Sequence, residues 1–231
     1  MKFRHTWVIG LLMVAASTAR ANLLINGGLE AHAKLNSRGR ALDTPTSPST
    51  LLPGWNVTQG TVDLIPSSYW KPSKGRWSVD LIGTPGLGAI SQTVTGLTIG
   101  ADYELTFDFS INPDPREKGS TKILQVQAVG GSILNTETFQ RVKTNESKGN
   151  MHYTHETFQF TADSTSVTLI LSALAPLNLP GNVTPAKSLV GPVIDNLDLE
   201  PTGGSGPNIP EPASIGFLGA GAMLLVRRAK K

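Results

Sequence analysis

Between Tyr103 and Ile111 the side chains alternate without a break. Tyr103, Leu105, Phe107, Phe109 and Ile111 fall on one side, and Glu104, Thr106, Asp108 and Ser110 on the other. Only an extended strand with one face buried separates residues this way, because successive side chains of a strand point to opposite faces. Val167, Leu169, Leu171 and Ala173 repeat the pattern, and shorter candidate strands cover Thr61–Ile65, Trp77–Ile82, Ala89–Val94, Lys122–Val129, His155–Phe160 and Val193–Leu199. Turn-forming clusters separate them, among them Asn26-Gly27-Gly28, Pro53-Gly54, Asn112-Pro113-Asp114-Pro115 and Gly130-Gly131. Asn, Asp, Gly and Pro supply the backbone angles that such reversals need. No stretch of the body repeats at helical spacing. Many short strands with Gly/Pro turns predict an all-β fold, a single sandwich of the jelly-roll kind. Two polar stretches, Ala31 to Leu52 and Arg141 to Asn150, read as long loops. With no cysteine in the chain, disulfide scaffolds, Cys-ligated zinc, iron–sulfur clusters and thiol nucleophiles are excluded.

The two ends follow other rules. Residues 1–21 carry Lys2 and Arg4, a short apolar run from Trp7 to Ala16, and the small-residue site Ala19-Arg20-Ala21. This is the tripartite pattern of a secretory signal peptide, removed by signal peptidase, and the apolar run is too short for a membrane span. Residues 201–209 form a Gly/Pro/Ser linker, and Pro210, Glu211 and Pro212 follow. An uncharged run then extends over 213–226, before a basic tail at 227–231 that begins with Arg227 and Arg228. As a helix, that run reaches only about 21 Å, enough for transient membrane anchoring with the basic tail left inside. Of 20 Lys and Arg and 17 Asp and Glu, seven basic residues and one acidic residue lie in these end segments. The body from Asn22 to Glu200 is thereby left with a net charge of −3, which argues against a nucleic-acid partner.

Pro-Glu-Pro, an apolar stretch and an Arg-rich end resemble the PEP-CTERM sorting signal of Gram-negative bacteria. The resemblance implies an exosortase as processing partner, a transient inner-membrane stage, and a final place in the cell envelope, at the cell surface or in the extracellular matrix. A second resemblance covers the body. The segments NLLINGGLE (22–30), PGWNVTQGTVDLI (53–65), YW (69–70), GRWSVDLIGTPGLGAISQTV (75–94), GADYELTFDFSINP (100–113) and GPVIDNLDLE (191–200) occur in this order. They resemble the choice-of-anchor C family, which is similar to the domain of unknown function 642 of plant cell-wall proteins. The resemblance implies a galactose-binding-like β-sandwich over 22–200, extracellular and associated with polysaccharide, and it implies no established enzyme activity. The chain departs from the family pattern at Leu29, where an aromatic residue is usual, and in the segment 31–52, which reads as an insertion.

Few residues invite a chemical role. Tyr69 and Trp70 lie in a Pro/Ser/Lys-rich stretch, where an aromatic pair is either a sugar-binding platform or a lid over the sandwich edge. Trp55 and Trp77 sit in or beside strands and read as core. Glu30 and Asp195 stand near opposite ends of the body, which a sandwich often brings side by side. Resemblance to carbohydrate-binding modules of this fold implies a structural Ca²⁺ near such residues, and the competing reading is a solvated Glu with an Asx turn at Asp195-Asn196. No other cofactor is expected. His152 and His155 are an odd number of residues apart, which puts them on opposite faces of a strand; they read as exposed residues of an edge strand. Gly83 to Gly88 lies between two strands, so no helix N-terminus is there to hold a phosphate, and it reads as a hairpin connection. The carboxylate pairs Asp102/Glu104 and Asp195/Asp198 could serve glycoside hydrolysis only if a convergent catalytic set existed, and none is visible. The expectation is an exported, exosortase-sorted, non-catalytic protein that binds polysaccharide. A structural matrix protein acting through protein contacts and a polysaccharide hydrolase are the alternatives.

Overall fold

The computed structural model describes residues 21–32, 42–43, 52–83, 86–132, 134–181, 183–184 and 188–202. The signal-peptide segment, most of the 31–52 insertion, and the sorting residues Pro210, Glu211, Pro212, Arg227 and Arg228 lie outside them. Thirteen strands and one short 3-10 turn are described, and no α-helix is found among these residues. In chain order the strands are β1 (Leu42–Asp43), β2 (Asn56–Gln59), β3 (Thr61–Pro66), β4 (Trp77–Asp80), β5 (Ile82–Gly83), β6 (Gly86–Leu87) and β7 (Ala89–Thr95). They continue as β8 (Asp102–Ile111), β9 (Thr121–Val129), β10 (Leu134–Val142), β11 (Thr154–Thr161), β12 (Ser166–Leu177) and β13 (Pro192–Pro201).

Two antiparallel sheets form. Sheet I has the order β1-β3-β4-β13-β8-β11, and sheet II the order β10-β9-β12-β7-β2. The expected all-β sandwich is therefore what the chain adopts. The apolar side of β8 turns inward as its alternation requires: Tyr103, Leu105, Phe107 and Phe109 join one core with Leu124, Val126 and Ala128 of β9 and with Val167, Leu169, Leu171 and Ala173 of β12. Phe107 meets Phe139 of β10 edge-on, with ring centroids 5.1 Å apart. Trp55 is buried in this core, and Trp77 packs against it.

The two ends of the body do come together. The Leu23 amide donates to the Leu199 carbonyl at 3.0 Å, and the Asn22 side-chain amide donates to the Leu197 carbonyl at 2.8 Å. β5 and β6 pair as a small hairpin across residues 83–88, as the glycine pattern suggests.

Two local expectations change. Leu134–Val142 is a full strand of nine residues, although its sequence is polar on both sides. The charged stretch that follows it is a loop, exposed at Thr144, Asn145 and 147–150, but it turns Lys143 and Glu146 inward, where both are buried. Lys143 reaches Glu146 at 3.4 Å. Beside them, position 122 continues the inward row of β9, and the buried Lys122 there pairs with the buried Glu117 of the 3-10 turn Pro115–Glu117. Ser188 donates to Glu117 Oε2 at 2.8 Å and the Leu189 amide to Glu117 Oε1 at 3.2 Å. Burial pushes the Lys122 ammonium below its ordinary range, against the pull of Glu117. One end of the sandwich is thus closed by ion pairs, and at Glu117 hydrogen bonds to both carboxylate oxygens offset the loss of hydration.

Candidate functional site

Away from the core, sheet I is half covered. The segment after β3 doubles back on itself: the Ser67 amide donates to the Arg76 carbonyl at 2.7 Å, and the Tyr69 amide to the Pro66 carbonyl at 2.8 Å. The segment before β11 joins it, with the Lys71 amide donating to the Lys148 carbonyl at 2.8 Å. Underneath, Ile65, Trp70, Met151 and Val193 make a second small apolar cluster, flanked by Tyr153. Burial there pushes the Tyr153 phenol up. The Ser110 hydroxyl, on the outward face of β8, donates to the Met151 carbonyl and ties the cover to the sheet.

This arrangement splits the Tyr69–Trp70 pair. Trp70 is only 2% exposed, and its indole N–H donates to the Ser78 hydroxyl of β4 at 2.8 Å. It cannot form part of an exposed platform, because a large ring with one polar group gains most by burying the ring and satisfying the N–H inside. Tyr69 remains 45% exposed. Its ring leans on Trp70 at 52°, with centroids 5.5 Å apart, and the Lys148 ammonium lies 3.8 Å from its centroid. The result is one outward ring on a buried root, the lid and the platform of the sequence reading divided between neighbours.

Glu30 and Asp195 are brought to the same segment, where both accept from backbone amides. Glu30 Oε1 accepts from the amides of Arg76 and Trp77 at 2.8 and 3.0 Å. Asp195 Oδ2 accepts from the Lys74 amide at 2.9 Å, and its Oδ1 from the Asn196 amide at 2.7 Å. The two carboxylates clamp the turn between them. Gly75, at φ +58°, is required there, since a Cβ would collide with the Glu30 carboxylate. Three of these four carboxylate oxygens serve backbone amides, and in this arrangement the pair holds the turn. No group of three or more His, Cys, Asp or Glu able to hold a metal occurs among the described residues. Desolvation pushes the Asp195 carboxyl up to about 7, a shift that its amide bonds reduce and the neighbouring Asp108 adds to.

Asp108 is a site residue that the sequence reading passed over as one polar position among several. Opposite Asp195 in the ladder, it accepts from the Ser73 hydroxyl, from the Asn196 side-chain amide at 3.1 Å, and faces His155 Nδ1 at 2.9 Å. His155 stands on edge strand β11 with a well-exposed ring, as expected of it. Ser73, Asp108 and His155 do not make a nucleophilic relay. Serine and imidazole bond different oxygens of the carboxylate, so His155 does not stand between Ser73 and Asp108 as that relay requires. Asp102 and Glu104 are committed to Thr161 at 2.5 Å and Gln159 at 2.8 Å, as a solvated strand face would be.

The family profile described as "Protein of unknown function (DUF642)" matches residues 22–200. The chain belongs to the DUF642 family. Among curated proteins, halomucin of Haloquadratum walsbyi (strain DSM 16790 / HBSQ001) is 32% identical to it over 188 residues, which are 80% of this chain and 2% of halomucin. The DUF642 chain therefore spans only a small fraction of that relative's length. Among solved structures, the CBM22-1 xylan-binding domain from Paenibacillus barcinonensis Xyn10C is 12% identical, with a TM-score of 0.42, over 73% of this chain and 97% of that one. The enzymatically active domain of bacteriophage CBA120 tailspike protein 4 is 10% identical, with a TM-score of 0.43, over 78% of this chain and 21% of that one. Both likenesses are remote.

Proposed function

We propose that this DUF642 protein is an exported, non-catalytic polysaccharide-binding protein of the cell envelope or extracellular matrix. In this reading signal peptidase removes residues 1–21, and an exosortase processes the segment 210–231 after transient membrane anchoring. The observation that carries the glycan-binding part is the exposed ring of Tyr69, held on a turn that Trp70, Glu30 and Asp195 fix in place. Sugars present apolar C–H faces to aromatic rings and hydroxyls to the polar rim, and a fixed ring loses little freedom on binding. Lys148, Ser73 and His155 supply polar groups around the same cover.

The test is retention of the intact protein on a panel of immobilised polysaccharides, with Tyr69→Ala as the comparison. Loss of retention in Tyr69→Ala, with the melting temperature unchanged, supports the assignment. Equal retention would remove Tyr69 from the site.

A further inference from the structure

Strand β10 ends sheet II, so half of its backbone N–H and C=O groups point away from β9 with no described strand to take them. Proteins usually blunt such an edge by keeping it short, by a bulge, or with Pro or Lys. The opposite edge of the sheet, β2, follows that rule: it has four residues, and its register with β7 shifts between Val57 and Gln59. β10 does not. It has nine residues with no Pro, Gly or Lys among them, and its register with β9 runs unbroken from Leu134 to Val142.

Its two faces carry different signals. Leu134, Thr136, Thr138, Gln140 and Val142 lie on the outer face, and all are exposed. Leu134 stands beside Val129 in the register, and Val142 stands in one row with Thr121 and Leu177. Exposed apolar side chains therefore gather at the two ends of this edge, with Leu134 57% and Val142 53% exposed. On the core side stand Glu137, Phe139 and Arg141. Phe139 is only half-buried against the core. Glu137 is exposed, and no ion pair among the described residues reaches it. Arg141 donates to the Phe109 carbonyl at 2.7 Å and lies 3.8 Å from Glu146, which leaves other N–H donors of its guanidinium unused.

We propose that β10 is the edge through which two copies of this chain pair, antiparallel, about a two-fold axis at Phe139. Charge selects the occupant. A strand of arbitrary sequence laid along β10 covers the Glu137 carboxylate beside an aromatic ring and gives it no partner. A second copy does give one, because positions 137 and 141 lie equally far from 139 on either side. An antiparallel pair centred there sets Glu137 of each copy opposite Arg141 of the other, with the two Phe139 rings between these pairs. Opposite charges that face each other across antiparallel strands stabilise the pairing, and diagonal neighbours are still within reach. On the outer face the diagonal neighbour of Leu134 is Val142 of the second copy, so the apolar ends of the two edges meet. The contact is isologous and closes on itself, leaving no further β10 edge for growth. It goes beyond the glycan-binding reading and does not depend on it.

The experiment is sedimentation equilibrium of the intact protein over a wide concentration range, with backbone hydrogen exchange read on β10 at both ends of that range. Glu137→Lys sets a cation against Arg141 in both pairs, and Glu137→Gln only removes the attraction. Position 137 is exposed, so neither change disturbs the core. Gln59→Lys, exposed on the opposite edge at β2, is the control. The expected result is a dimer whose dissociation constant rises on the order of tenfold in Glu137→Lys, less in Glu137→Gln and not in Gln59→Lys, with the melting temperature at low concentration unchanged. Exchange of the β10 amides should slow as the dimer forms. A monomer at every concentration would overturn the inference, as would a dimer that Glu137→Lys leaves intact or whose formation does not protect β10. Dissociation by Gln59→Lys would assign the contact to β2 and overturn it too. None of these outcomes bears on Tyr69 and the glycan panel.

Discussion

Replacing Trp70 tests whether the cover over sheet I is part of the fold or a surface feature. Trp70→Ala removes a fully buried indole and takes one hydrogen bond from the Ser78 hydroxyl. Large-to-small changes of this kind cost about 3–5 kcal/mol. Trp70→Phe keeps most of the packing and loses the N–H···O bond, so it should cost roughly 0.5–1.5 kcal/mol for the lost hydrogen bond. At about 2–4 °C per kcal/mol for a domain of this size, the alanine variant should melt about 6–20 °C lower. Urea titration gives the free energies, and proteolysis within the turn around Gly75 shows whether the cover has lifted. The order Ala worse than Phe worse than wild type is expected, with cleavage in the turn only for Ala. If Trp70→Ala cost less than about 1 kcal/mol while glycan retention fell, the ring would be binding sugar directly and its structural assignment would be wrong.

Burial holds the Asp80 carboxyl at about 8, against hydrogen bonds from the Ile82 amide at 2.9 Å and the Asn112 side chain at 2.7 Å, and it holds Asp195 at about 7. Both values are raised above those of the unfolded chain, so the folded state holds more protons and these groups lose stability as pH rises toward 7–8. Asp80→Asn should flatten the fall between pH 5 and 8 by up to ~1.4 kcal/mol per pH unit, measured by urea titration at each pH; an unchanged slope refutes the burial argument. Lys122→Ala strands the Glu117 carboxylate in the interior and should cost about 3–5 kcal/mol, whereas Lys122→Met with Glu117→Leu should recover most of it, and a double-mutant cycle decides. Glu30 and Asp195 serve backbone amides, so neither added Ca²⁺ nor a chelator should move the melting temperature; a rise of several degrees with Ca²⁺ would contradict the assignment.

The sequence shows the sandwich best where one face of a strand is fully apolar. β8 and β12 are legible because Tyr103 to Phe109 and Val167 to Ala173 alternate against polar partners. β10 is not, because it is an edge strand whose Asn135, Thr136, Glu137 and Thr138 are polar in succession, and only pairing with β9 makes it a strand. The buried ions are hidden for a related reason: Lys122, Lys143 and Glu146 look like solvated charges until the fold sets them beside each other. Tyr69 and Trp70 could be read as a pair with two possible roles, but not divided between them. That division depends on Ser78, which faces outward from a strand eight residues further on. Asp108 had no distinguishing signal at all. Its neighbours Ser73, His155 and Asn196 come from three separate elements, and only the register of β8 with β11 and β13 assembles them.

The central claim is that the chain binds polysaccharide without acting on it. The most direct measurement is isothermal titration of the intact protein with each soluble polysaccharide of the panel, followed by size analysis of the recovered polymer. A saturable heat with at least one polymer, whose length distribution is unchanged after prolonged incubation, is the predicted result. No heat with any polymer, or a polymer shortened by the protein, would contradict the claim.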